Sequence, residues 1–167
     1  MPKHCRIHVP GENRLLVALP KDEYDRLLPH LEKVSLPLRD ILYEANGPIA
    51  HVFFPLVGVV SLVIMNSIFT LEVGIIGNGG IVGTPVFLGF DRSPTKAIVQ
   101  IPGEALRMEA KVFQKEMGRG GPLHGLVQRS RVFWPGGSAD TCGVASTEPS
   151  GVGGANSRSS RIALVTW

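Results

Sequence analysis

Turn-forming residues punctuate positions 32–108 every 8 to 12 residues, and this spacing limits the fold more than any other feature of the chain. The breaks are Asn46-Gly47-Pro48, Pro55, Gly77-Asn78-Gly79-Gly80, Ser93-Pro94 and Pro102-Gly103. Between them the pattern predicts short strands at Val34–Leu38, Ile41–Tyr43, His51–Phe54, Gly58–Met65, Leu71–Ile76, Thr95–Ile101 and Ala105–Met108. Evenly spaced short strands point to a β-sandwich, roll or barrel. With 20 Gly and 13 Pro in 167 residues, an all-helical bundle does not fit, because both residues interrupt helices.

Helical patterns flank the strand region. Asn13 can cap a short helix carrying Leu15, Leu16 and Leu19, which Pro20 stops. Lys21, Asp22 and Glu23 then open a second helix, with Tyr24, Leu27 and Leu28 expected on one face. After Glu109, the spacing of Ala110, Val112, Phe113 and Met117 predicts a helix up to Gly118. Leu123, Leu126 and Val127 can begin another beyond Gly120-Gly121-Pro122. Phe53, Phe54, Phe87, Phe90 and Phe113 read as core. Past Pro135-Gly136-Gly137 the apolar period is lost. Residues 135–167 hold six Gly and six Ser and read as disordered.

Charge narrows the function. Residues 1–116 carry 12 Lys/Arg and 12 Asp/Glu, so the net charge of +3 comes entirely from five Arg against two acids in residues 117–167. The patterned region therefore lacks the basic stripe of a nucleic-acid reader. No apolar run reaches the ~18 residues of a membrane helix, and no apolar stretch marks a signal peptide at the N-terminus. Cys5 and Cys142 form no disulfide framework, so a cytoplasmic location is expected. His4, Cys5 and His8 are close in sequence but lack a second ligand cluster, and no metal or cofactor is expected. His30 and His51 are isolated, which argues against a metal-dependent cupin enzyme.

The stretches Asn13-Arg14-Leu15-Leu16, Leu27-Leu28-Pro29-His30-Leu31, Ile41-Leu42-Tyr43-Glu44, His51-Val52-Phe53-Phe54-Pro55, Gly58-Val59-Val60-Ser61-Leu62, Gly80-Ile81-Val82-Gly83 and Asp91-Arg92-Ser93-Pro94 carry a resemblance. Over residues 12–128 the chain resembles the N-terminal effector domain of the Crp–Fnr superfamily of transcription regulators. The resemblance implies a mainly β, cyclic-nucleotide-binding-like β-roll (a double-stranded jelly roll) with flanking helices. It also implies a non-enzymatic sensor. Residues 129–167 form a separate Gly/Ser-rich tail in this division.

The same resemblance implies a phosphate cassette. In it a glycine loop and short helix offer N–H groups to a cyclic phosphate, a glutamate holds the ribose, and an Arg-Ser pair neutralises the charge. This chain departs from that pattern. Thr84 stands at the glutamate position, and Thr95-Lys96 at the Arg-Ser position. Arg92-Ser93 is such a pair but lies three residues earlier, before Pro94. The candidate ligand residues are thus Gly80, Gly83, Thr84, Arg92, Ser93, Thr95 and Lys96. Binding of cAMP in the usual way is not carried over, and the effector is unidentified. Gly80–Gly83 either receives another small anion or only shapes a tight turn.

The family further implies a dimerisation helix, here with Leu123, Leu126 and Val127 in its seam, and a DNA-reading helix-turn-helix. The 33 residues from Pro135 are too few and too Gly/Ser-rich for the latter. A natural truncation or a reading frame disrupted near Gln128 would produce this; the abrupt loss of pattern favours disruption. DNA contact is therefore expected of the full-length family architecture and not of this chain, while a homodimer is expected. A stand-alone β-roll that binds a ligand or a protein partner is the alternative reading, and a cupin-type enzyme the third.

Overall fold

Two long strands run straight through residues that look like turns in the sequence. In the computed structural model, which describes residues 11–65 and 69–129, β3 spans His51–Met65 and β5 spans Lys96–Glu109. The remaining elements are α1 (Arg14–Val17), α2 (Lys21–Leu27), β1 (Glu32–Leu36), β2 (Ile41–Tyr43), β4 (Thr70–Ile76), α3 (Ala110–Gly118) and α4 (Pro122–Arg129), with short 3-10 turns at Leu28–His30 and Thr84–Val86. The architecture is mainly β, as expected. One antiparallel sheet has the order β1-β5-β3-β4, with β2 also pairing β5.

The expected breaks at Pro55 and Pro102-Gly103 are instead a bulged crossing between β3 and β5. The register shifts between Pro55 and Val57, between Val57 and Val59, and again between Val59 and Val60. Gly58 takes φ +95°, and a Cβ there would lie 2.6 Å from the Ile101 carbonyl oxygen. A Cβ on Gly103 would overlap the Val57 carbonyl. Proline lacks a donor and glycine lacks a Cβ, so both suit a ladder that slips and bends.

The core joins all layers. Leu27, Val52, Phe54, Val60, Ile81 and Phe113 are fully buried, and the Phe54 and Phe113 rings meet edge-on at 6.3 Å, fastening α3 to β3. Two expected core residues lie outside it. Leu28 is half exposed because the chain leaves α2 and enters the 3-10 turn at that residue. Phe90 is exposed in the loop between that second 3-10 turn and β5. Leu123 and Val127, expected in a seam between two copies, pack into this chain's own core, and Leu126 is half-buried against it. The expectations for residues 1–10 and 130–167 fall outside the described residues, as does the turn at 66–68.

Candidate functional site

The glycine loop is held by a residue that the sequence marks only as a helix cap. The Asn13 side-chain oxygen accepts from Leu15 N–H at 3.0 Å and Leu16 N–H at 3.4 Å, capping α1. Its amide donates to the carbonyls of Pro55 and Gly80, both at 3.0 Å. Arg14 N–H also donates to the Asn78 carbonyl at 2.8 Å. Asn13 is 1% exposed, so all four bonds are buried or partly buried and lock loop, helix and strand together. Gly80 fits closely here: a Cβ would lie 2.9 Å from Ile76 Cγ2.

Beyond the loop, Gly83 adopts φ +100° against Val52 and starts the 3-10 turn at Thr84–Val86. Thr84 Oγ1 donates to the Ile81 carbonyl at 3.4 Å, so the hydroxyl is spent locally. Across from this turn the end of β2 delivers Tyr43. Tyr43 is 5% exposed, and Thr95, Ser93 and the backbone of Gly83 lie near enough to its hydroxyl to favour the ionised form. Ser93 and Thr95 are also buried. Ser93 Oγ lies 2.8 Å from Thr95 Oγ1 and accepts from Thr95 N–H at 3.1 Å. Burial pushes the Tyr43 phenol up to about 12, against these neighbours, which oppose the rise. At neutral pH the cluster is therefore uncharged.

The two cations of the expected site are turned to other work. Arg92 Nη1 donates to the Asn46 carbonyl at 2.8 Å in an exposed turn. Asn46 N–H returns a bond to the Ser93 carbonyl at 2.6 Å, and Ile49 N–H donates to the Asp91 carbonyl at 2.8 Å. These links strap residues 46–49 along residues 91–93. Lys96 Nζ pairs with Glu44 Oε2 at 3.5 Å. Of the seven residues singled out from the sequence, the structure brings Gly83, Ser93 and Thr95 together and places Gly80, Thr84, Arg92 and Lys96 on other partners. Tyr43, which unites the first three, was read only as a strand residue; its place just before the Asn46-Gly47 turn was the available signal.

A second polar cluster lies among the helices. Glu23 and Glu116 are 4% and 7% exposed. Arg26 Nη2 donates to Glu23 Oε1 at 3.1 Å and Arg26 Nε to Glu116 Oε2 at 3.0 Å. The hydrogen bond it donates to Glu116 holds the Arg26 guanidinium pKa above its ordinary value. Glu23 Oε2 accepts from Leu123 N–H at 3.2 Å, so an α2 carboxylate caps α4. His30 and His51, isolated in sequence, line one cleft of about 430 Å³ with Glu32, Arg107 and Glu109. Among the described residues no group of three His, Cys, Asp or Glu is placed to hold a metal ion.

Comparison with solved structures decides the fold. The chain superposes on the regulatory subunit of a cAMP-independent protein kinase A from Trypanosoma brucei with TM-score 0.61 and 17% identity, over 72% of this chain and 44% of that one. The catabolite activator protein of Thermus thermophilus matches with TM-score 0.57 and 15% identity, over 68% and 54%. The N-terminal domain of a transcriptional regulator from Streptomyces coelicolor A3(2) matches with TM-score 0.57 and 15% identity, over 74% and 87%. The fold is that of the cyclic-nucleotide-binding domains. The chain spans about half the length, or less, of the kinase subunit and the activator protein it matches. No protein-family model matches the chain, and no curated protein does. In this cyclic-nucleotide-binding fold no helix among the described residues is long and apolar enough to cross a membrane.

Proposed function

We propose that the chain carries the sensor domain of a Crp–Fnr-like transcription regulator, that it is not an enzyme, and that its effector is neither cAMP nor cGMP. The fold supports a sensor. The observation that carries the rest is the closed cluster at Tyr43. The Ser93 and Thr95 hydroxyls, groups a cyclic phosphate would need, are bonded to each other and buried beside Tyr43 of the same chain. Residues 79–90 contain no acid for a ribose and no base for a phosphate. Arg92 and Lys96, the two candidate cations, are turned to the Asn46 carbonyl and to Glu44. DNA reading belongs, in this proposal, to the full-length family architecture, since residues 1–116 have no net charge.

Titration calorimetry tests this reading. Each missing charge-assisted hydrogen bond weakens binding by about 1.5–3 kcal/mol, which is one to two decades in affinity. With both the ribose acid and the phosphate arginine absent, cAMP and cGMP should show no dissociation constant below about 1 mM. A micromolar constant for either nucleotide would overturn the proposal.

A further inference from the structure

We infer that the cleft walled by the 3-10 turn at Leu28–His30, β1, β3, the end of β5 and the start of α3 is a second ligand site. It takes a small zwitterion, an α-amino acid with an apolar side chain, whose carboxylate meets Arg107 and whose ammonium meets Glu109. The inference goes beyond the sensor reading above and does not depend on it, because no residue of the glycine loop lines this cleft.

Sheet register brings the charges together. β1 and β3 flank β5. Arg107 of β5 lies opposite Glu32 on one side and Phe53 on the other, and Glu109 lies opposite His51. Arg107 and Glu109 are two residues apart on one strand, so they share a face at a spacing of ~6.7 Å. Both line the cleft, as do the imidazoles of His30 and His51. Its volume of about 430 Å³ is in the range of small-molecule sites. Leu31 and Val112, half-buried against the core, give it an apolar wall.

The lining leaves donors and acceptors of both signs unspent. Arg107 sends Nε and Nη2 to a single oxygen, Glu32 Oε2, at 3.2 and 2.6 Å. That contact fixes the guanidinium fork and leaves its remaining N–H groups to a ligand. Among the described residues no hydrogen bond or ion pair holds the side chains of Glu109, His30 or His51; His51 has the tilted Phe53 ring at 6.3 Å. A bare cation does not fit, since no three acids or imidazoles among the described residues are placed to hold a metal ion. A simple carboxylate would find Arg107 already neutralised by Glu32 and would face the like charge of Glu109. A simple amine would satisfy Glu109 and leave the guanidinium donors idle. A zwitterion answers both groups, and its side chain then lies on Leu31 and Val112. Glu109 directly precedes α3 and Val112 lies within it, so the occupant bears on the junction between sheet and helix.

The test is amide NMR on the full chain with L-leucine as the probe, beside isocaproate, which lacks its amine, and isoamylamine, which lacks its carboxylate. L-leucine should bind with a dissociation constant of about 1 mM or tighter, moving the His51, Glu109 and Val112 amides and leaving that of Gly80 in place. Each single-charge analogue should bind at least ~10-fold more weakly, because one charge-assisted contact is lost. Arg107→Gln and Glu109→Gln should each weaken L-leucine by ~10-fold or more. Glu104→Gln, on the same strand but paired with Lys33 outside the cleft, should leave it unchanged. If a substituted chain does not fold, the analogue comparison on the unsubstituted chain decides alone. No response to L-leucine at ~10 mM, or an analogue bound as tightly as L-leucine, overturns the inference. So does a folded Glu109→Gln protein with full affinity, or a response confined to the loop at Gly80.

Discussion

The hydroxyl cluster around Tyr43 and the ion-pair cluster around Arg26 both place polar atoms out of water, and they do so differently. At Tyr43 the participants are neutral: a phenol, two hydroxyls and one N–H, all almost fully buried. Around Arg26 the two carboxylates are buried, but the guanidinium is 41% exposed and reaches them from the surface. Neutral groups are cheap to desolvate once each finds one partner. Carboxylates require several donors, and Glu23 finds them on two elements, from Arg26 in α2 and from Leu123 N–H in α4. The first cluster therefore depends on shape and proton count, the second on keeping every pairing intact.

The largest separation between the two should come from alkaline pH. Tyr43 has its folded value raised to about 12 from an ordinary 10. The folded state thus holds the phenolic proton more tightly than the unfolded state, and below pH 10 nothing is lost. As pH rises from 10 to 12 the unfolded chain gives up the proton first, and stability falls by up to about 3 kcal/mol. Chemical denaturation of the unsubstituted chain and Tyr43→Phe across this range should show the difference between them shrinking. Parallel curves would mean that the phenol is solvated and the cluster open.

Next in size is Glu23→Ala. It removes the cap of α4, worth about 1 kcal/mol, and one charge-assisted bond to Arg26. The second contribution is discounted to about 1 kcal/mol because the guanidinium can return to water. A loss of about 2 kcal/mol is expected, with faster amide exchange in α4 than in β5. Uniform loss across both elements would show that Glu23 supports the whole core and not this helix.

What the sequence reveals divides along the same line. Turn spacing and apolar runs are local, and they identified the β-rich centre, the β2 strand at Ile41–Tyr43 and the helices after Glu109 and Pro122. The continuity of β3 and β5 was hidden, because Pro55, Gly58, Pro102 and Gly103 are as suited to a turn as to a bulge. Only the partner strand distinguishes the two. The clusters were hidden for a related reason. Glu23 looked like a first-turn acid favoured by its helix dipole, yet its role depends on Leu123, 100 residues away, and that of Arg26 on Glu116, 90 residues away. Ser93 and Thr95 were singled out as candidate ligand residues, but no local pattern brings Tyr43 to them. Leu123 and Val127 show the converse: their spacing marked a helix face, but spacing does not say whether that face meets another chain or its own core.

Tyr43→Phe at neutral pH should cost somewhat less than Glu23→Ala. It removes the hydroxyl near the Gly83 backbone, while Ser93 and Thr95 retain their bond to each other at 2.8 Å. A buried donor without a partner costs about 1–2 kcal/mol. Equilibrium denaturation should show that loss, with exchange at Gly83 accelerated more than at Gly80, whose surroundings are held by Asn13. Equal acceleration at both glycines would make the loop one unit and remove the distinction between its two ends.

The smallest effect expected is that of Glu23→Gln, and it tests the charged cluster most directly. The amide keeps an oxygen for Leu123 N–H, so α4 remains capped, and it keeps the volume that fits beside Gly121, where a Cβ would lie 2.5 Å from Glu23 Oε1. What it loses is the negative charge facing Arg26, which still has Glu116 at 3.0 Å. A partly exposed ion pair contributes about 0.2–1 kcal/mol and weakens with added salt. The gap between Glu23→Gln and the unsubstituted chain should therefore close in high salt, whereas the gap between Glu23→Gln and Glu23→Ala, which isolates the cap, should not. A salt-independent loss in Glu23→Gln as large as that in Glu23→Ala would assign the whole effect to the capping geometry and leave Arg26 as a surface charge with no share in holding α2 to α4.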